Sequence, residues 1–351
     1  MIGEHDMRAI KLRRSRPDSF LKKYVRYDEC TTVAGGFATS HLAYTDKHVG
    51  TLIRVLDQWN LLDDAVFTFT GDHGLSRVAE DDDHSLLLEE TLDEELEQIM
   101  KKAGFDPLDF ATETSHDAVL AINGGMAHIY VKNRGSICQG GSNNGAPCAQ
   151  ASDCTGGVCV PAEWSALPRY IEDVLVMAER FYDNNTGVLH DDPEGNYIGA
   201  FDIILVRNPA GGFNGPYEVL VKQGGVFSTI SLSQAVSDGM VDSRYVNFEA
   251  NIQRLQNVRS GDIILLSAGM CNNDATGYYF GEQLPGWHGS LCPSDMTIPI
   301  IFSFPRGTGA ALTRFENIVD DPLVGLPQAP AEARITNIEP TIYELLSLEI
   351  P

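Results

Sequence analysis

Three short segments carry side chains whose types and spacing could do chemistry. Asp72 and His73 stand side by side between Gly71 and Gly74, directly after the β-prone run AVFTFT at 65–70. Flanking glycines permit the backbone angles that turn a carboxylate and an imidazole toward one point, and that pair is a good partial ligand set for Zn²⁺. His288 lies in PGWHGS, between the apolar runs DIILLSA (262–268) and IPIIFSF (298–304). Asp28 lies in KKYVRYDEC, after a short run containing Tyr24, Val25 and Tyr27. Residue type alone leaves plainer alternatives open, because Asp-His-Gly also makes turns and a single His is often an ordinary loop residue.

The cysteines carry a different chemistry. Cys138, Cys148, Cys154 and Cys159 crowd into the glycine-rich stretch SICQGGSNNGAPCAQASDCTGGVCV, within an insert spanning 135–161. So few apolar side chains cannot build a core there, so cross-links must order the segment. Two disulfides, in any of three connectivities, are the expectation, with a zinc knuckle as the rival reading. No His falls inside the segment and no C-x2-C pair is present. Cys271 and Cys292 flank the His288 loop and are candidates for a third bridge, which leaves Cys30 over. A disulfide framework points to an oxidising, extracytoplasmic location, periplasmic or secreted.

Elements must position these residues. Asp46 to Asn60 places Val49, Leu52, Ile53, Leu56 and Trp59 at helical spacing, ahead of the strand at 65–70. Helices are expected over 85–104, ended by Gly104, over most of 161–182, and over 339–348. Strands are expected at 126–132, 201–207, 218–222, 262–268 and 298–304. Continuous apolar strands separated by helices predict an α/β fold with a mostly parallel central sheet covered by helices on both faces.

Composition narrows the partners. Lys and Arg number 25 against 49 Asp and Glu, a formal net charge of −24, which repels nucleic acid and anionic membranes. No run approaches the roughly 20 apolar residues of a membrane span. The first residues, MIGEHDMRAIKLRRSRPDSFLKKY, lack the apolar centre of a secretory signal.

These islands share one resemblance. TDKHVGTLIRVLDQWNLLDDAVFTFTGDHG (45–74) resembles the segment of the alkaline phosphatase superfamily, which includes type I phosphodiesterases and sulfatases, where an Asp-x-x-Val-Gly helix leads into a strand and a metal-binding Asp-His-Gly. GWHGSLCPSDMTIPIIFSFP (286–305) is similar to that family's His-Gly loop and following strand, and TNIEPTIYELLSLEIP (336–351) to its closing helix. YDECTTVAG (27–35) is a looser match to the Tyr-Asp-Glu-x-x-His-x-x-Gly motif of the phosphodiesterases. The resemblance implies two divalent ions, expected to be zinc, with Asp72 and His73 on one and Asp28 and His288 on the other. It implies a small anionic ester as substrate and an alkaline-phosphatase-like domain over 1–351.

The sequence also departs from that pattern. Thr32 stands where the family has its second histidine, and no apolar strand followed by a metal-binding Asp and a nucleophilic Thr, Ser or Cys precedes Asp28. The expectation is therefore the N-terminally incomplete domain of a metal-dependent phosphate-ester hydrolase, its nucleophile unassigned and its turnover crippled. A non-catalytic binding relative and a sulfatase-like hydrolase are the alternatives.

Overall fold

The run Ile263-Ile264-Leu265-Leu266 shows how the central layer is built. Side chains of a strand alternate between faces, and here both sets are buried: Ile263 and Leu265 enter one apolar cluster, Ile264 and Leu266 another. Such a strand is apolar throughout because both faces are covered.

The computed structural model describes residues 37–78, 85, 96–108, 116–185, 199–272, 277–281, 286–298, 300–319, 341–342 and 345. In chain order the strands are β1 (Phe67–Thr70), β2 (Ser76–Arg77), β3 (Ala118–Asn123), β4 (Met126–Val131), β5 (Ser136–Gln139) and β6 (Val158–Pro161). They continue with β7 (Phe201–Arg207), β8 (Tyr217–Gln223), β9 (Val226–Ser231), β10 (Ile263–Ser267), β11 (Gly286–Trp287) and β12 (Ile300–Ser303). The chain divides into two compact units, Met1–Gly71 with Pro299–Pro351, and Asp72–Ile298.

In the first unit the expected amphipathic helix is present as Phe37–Gln58, and β1 pairs with β12 from Phe67↔Ser303 to Thr70↔Ile300. Arg306 ties them further, 2.7 Å from Asp57 and 3.4 Å from Asp63. The helix Gly309–Val319 follows.

The second unit holds a six-stranded sheet in the order β3-β4-β10-β7-β8-β9. The helices Leu96–Lys102 and Val176–Asn185 pack on one face through Ile99, Met100, Met177 and Phe181, and the helices Leu232–Ser237 and Phe248–Arg254 on the other through Leu232, Ala235, Phe248 and Ile252. Helices on both faces are as the apolar strands require, but the strand direction is not. Every ladder between named strands among the described residues is antiparallel. For two of these ladders, β3–β4 and β8–β9, the physical reason is a tight hairpin. Asn123↔Met126 and Gln223↔Val226 close two-residue turns made of Gly124-Gly125 and Gly224-Gly225, and positive φ at Gly124, Gly224 and Gly225 is what such turns demand. Their partner strands β3 and β9 were not expected from the apolar runs.

Among the expected helices, 85–104 is described from Leu96 to Lys102, with Gly104 at φ 82° just beyond its end. The expected 161–182 helix starts only at Tyr170, as a π-turn that passes into Val176–Asn185, because Pro161 and Pro168 exclude an earlier start. The 339–348 helix lies outside the described residues apart from 341, 342 and 345. No helix among the described residues is long and apolar enough to cross a membrane.

The insert is a two-stranded ribbon, β5 against β6, with Cys138 bonded to Cys154 and Cys148 to Cys159; Cys271 is bonded to Cys292. Three of the ribbon sulfurs, from Cys138, Cys148 and Cys154, lie within 4.8 Å of one another, yet all are engaged in disulfides. Beside the ribbon, fully buried Asp173 receives Arg134 Nε–H at 3.1 Å and Arg169 Nη2–H at 2.7 Å. Burial raises that carboxyl, but the hydrogen bonds from Arg169 and Arg134 outweigh it and hold Asp173 below the usual range.

On the second face the apolar packing ends in a polar cluster. Buried Arg207 faces Asp262 at 3.6 Å and donates to the Tyr217 hydroxyl at 2.9 Å, while His128 Nδ1 accepts the Gly261 N–H at 3.1 Å. Burial, then the Arg207 charge, lowers the His128 imidazole from 6.5 to about 4.

Two expectations follow. Thiol titration of the denatured, non-reduced chain should find one thiol, because the six described cysteines are paired and there are seven in all; four or more would refute the ribbon's disulfides. His128 is harder to protonate folded than unfolded, so its contribution is whole above about pH 6.5 and is lost as pH falls toward about 4. His128→Gln should therefore flatten the acid loss of stability in that window by up to ~3 kcal/mol, and an unchanged pH slope of the melting temperature would refute this.

Candidate metal centre

Two stretches far apart in sequence, 72–77 and 286–295, are joined by backbone bonds. β2 pairs with β11 as Ser76↔Trp287 and Arg77↔Gly286. Upstream of that pair, Gly74 N–H donates to the Asp295 carbonyl at 2.6 Å and Leu75 N–H to the Ser294 carbonyl at 3.0 Å. Gly74 is required for this approach, since a Cβ there would lie 1.9 Å from the Ser294 carbonyl oxygen. The central sheet braces the second stretch, because Gly125 N–H in the β3–β4 turn donates to the His288 carbonyl at 2.9 Å. The Tyr279 and Trp287 rings stack at 6.3 Å, and the Cys271–Cys292 disulfide closes the far side of the loop.

The seam brings the two histidines together. The His73 and His288 rings are stacked, with centroids 3.6 Å apart and planes 24° from parallel. Asp72 lies beside them, its Oδ2 3.6 Å from His73 Nε2, and its Oδ1 accepts the His73 N–H at 3.0 Å. His73 Nδ1 lies 2.8 Å from the Gly74 carbonyl. A carbonyl only accepts, so Nδ1 carries the proton of the neutral ring and Nε2, on the Asp72 side, keeps its lone pair.

Electrostatics favour the ligand forms of these groups. The hydrogen bond from its own backbone N–H, then the His73 imidazole, hold Asp72 below the usual carboxylate range. Burial, then the facing His73 ring, lowers His288 below its ordinary value. At neutral pH the arrangement offers one carboxylate and an uncharged His288 imidazole, the states that bind divalent cations. A proton on both stacked rings would place like charges in contact.

Their donor atoms do not meet at one point. Among the described residues, the Cys138, Cys148 and Cys154 sulfurs are the only three His, Cys, Asp or Glu ligand atoms within 4.8 Å of one another. Asp72 and His288 thus each neighbour His73, but the three do not offer donor atoms to one common point. Asp28 and Thr32 lie outside the described residues, and His48 is exposed on the helix Phe37–Gln58.

A buried polar group beneath the seam escaped the sequence reading. The Asp295 carboxylate is 4% exposed and accepts Ser76 Oγ–H at 2.5 Å, Ser290 Oγ–H at 2.5 Å and Ser290 N–H at 2.8 Å. Nothing in the local sequence PSDM marks it, since Ser76 is 219 residues away.

Residues 12–183 match the family model for type I phosphodiesterase / nucleotide pyrophosphatase. Over that stretch the chain is type I phosphodiesterase-like. The match is consistent with the alkaline phosphatase superfamily and, at the level of the family, implies hydrolysis of the phosphodiesterase or pyrophosphatase type. No curated protein and no solved structure matches the chain. The phosphodiesterase-like stretch takes in Asp28, Asp72 and His73 and stops before His288, which the seam of backbone bonds brings to His73.

Gly74 provides the test of this geometry. Gly74→Ala should cost ~2 kcal/mol by forcing the two stretches apart, whereas Gly50→Ala, whose added methyl group meets nothing within 4 Å, should be neutral or slightly stabilising. Equal urea midpoints for the two variants would show that the seam is looser than drawn.

Proposed function

We propose that Asp72 and His73 hold one divalent ion, that His288 and Asp28 hold a second, and that the chain hydrolyses small phosphate esters, phosphodiesters first among them. The observation that carries this reading is the contact of the His73 and His288 rings at 3.6 Å, with the Asp72 carboxylate beside them and His73 Nδ1 turned to the Gly74 carbonyl. The donor set suits zinc, being one imidazole and one carboxylate per ion with room for substrate oxygens. Because Asp72, His73 and His288 do not bring three donor atoms within 4.8 Å of one another, two neighbouring ions suit them better than one shared ion. Asp28 is assigned from its motif alone.

When bound, such ions supply Lewis acidity toward the phosphoryl oxygens. The protein's own part is to keep the donors apart yet adjacent. Gly74 O fixes the His73 tautomer, and the β3–β4 turn and the Trp287 ring set the position of His288. The net charge of −24 does not oppose an anionic ester, since the ions dominate the local potential. We place the chain in an oxidising, extracytoplasmic compartment, where its three disulfides persist.

Zinc content after dialysis, measured alongside hydrolysis of bis(p-nitrophenyl) phosphate, tests the reading. Chelation should remove both zinc and activity, and added zinc should restore both. His73→Ala and His288→Ala should each lower zinc affinity by on the order of 100-fold and hydrolysis with it. Activity that persists in chelator, or zinc retained by both variants, would overturn the assignment.

A further inference from the structure

Asp295 sits where the two imidazole-bearing loops meet, and its side chain and main chain bind both. On the first loop, Ser76 Oγ–H donates to Oδ1 at 2.5 Å and Gly74 N–H donates to the Asp295 carbonyl at 2.6 Å. On the second, Ser290 donates both its N–H and its hydroxyl to Oδ2, and Ser290 Oγ accepts the Cys292 N–H at 3.1 Å. Ser294 Oγ lies 2.5 Å from Ser76 Oγ and completes the set. A buried carboxylate that gathers several donors is costly to interrupt, because removing its charge leaves those donors without an acceptor. Ser290 is two residues from His288, and Ser76 is three from His73. A shift of the carboxylate therefore changes the spacing of the two rings.

We propose that Asp295 is a positioning residue of the metal centre, a buried anion that locks the His73 loop to the His288 loop and so sets the distance between their imidazoles. It touches no ion itself. The inference rests on the reading of His73 and His288 as metal ligands, but the lock acts on the metal-free protein as well, so the two can be tested apart. Asp173 is the natural control, being an equally buried carboxylate held by Arg134 and Arg169 and not by either loop.

The experiment compares the full chain with Asp295→Asn, Ser76→Ala and Asp173→Asn, using two readouts. The first is the NMR shifts of the His73 and His288 ring protons without metal, which stacking at 3.6 Å moves upfield. The second is Co²⁺ titration followed by visible absorption. Asp295→Asn and Ser76→Ala should lose the upfield displacement and bind Co²⁺ at least ~10-fold more weakly. Asp173→Asn should melt at lower temperature with both readouts unchanged. If Asp295→Asn does not fold, Ser76→Ala decides, since it removes one hydroxyl, with its bonds to Asp295 and Ser294, and leaves the carboxylate in place. Normal ring shifts and normal Co²⁺ affinity in the Asp295 and Ser76 variants would overturn the proposal, as would a wild-type chain without the upfield shifts. A wild-type chain whose Co²⁺ uptake is unaffected by His73→Ala would defeat the metal reading instead, and the ring shifts would still judge the lock.

Discussion

Backbone contact between residues 72–77 and 286–295 is the constraint on which the candidate site depends. Main-chain bonds give it direction, but they can form only where side chains do not intervene, which is the role of Gly74 against the Ser294 carbonyl. Once the strands meet, His73 and His288 have little choice of position: one lies just upstream of β2 and the other just downstream of β11, on strands running in opposite directions. The ring stack is thus a product of register, and the carboxylate of Asp295 converts that register into a fixed spacing by offering one acceptor group to donors from both sides.

Much of the element order was legible because burial leaves a clear mark. The runs at 126–132, 201–207, 218–222 and 262–268 are strands since each packs both faces against helices; the helix ahead of β1 was legible from apolar spacing alone, and Leu52 and Trp59 of that stripe are exposed. Direction was not legible from the same mark. A doubly covered strand is apolar whichever way its neighbours run, so the composition of β10 carries no information on whether β4 and β7 are parallel to it. Only at the β3–β4 and β8–β9 pairs does the sequence carry direction, through Gly-Gly turns two residues long that commit the chain to antiparallel hairpins.

The site shows the same division. Asp72, His73 and His288 stood out because their neighbours, glycines and strand ends, are local. Asp295 did not, because its bond to Ser76 spans 219 positions of sequence and its local partner Ser290 is an ordinary loop residue by type. Cysteines fall between these cases: crowding pointed to cross-links, but choosing Cys138–Cys154 and Cys148–Cys159 from three pairings required the ribbon, in which Cys138 and Cys159 are cross-strand neighbours and each is bonded elsewhere.

That ribbon leaves and rejoins the main fold at one point. Ser136 is the cross-strand partner of Pro161, and Ala162 N–H donates to the Gly135 carbonyl at 3.0 Å, so the two ends of the insert are already neighbours. Its disulfides lie wholly within 138–159, and closing the chain across its base costs little loop entropy. The insert is therefore self-contained: its cross-links and its closed base make no demand on β4 beyond the point of attachment, so a change of length within it leaves the register of the central sheet alone.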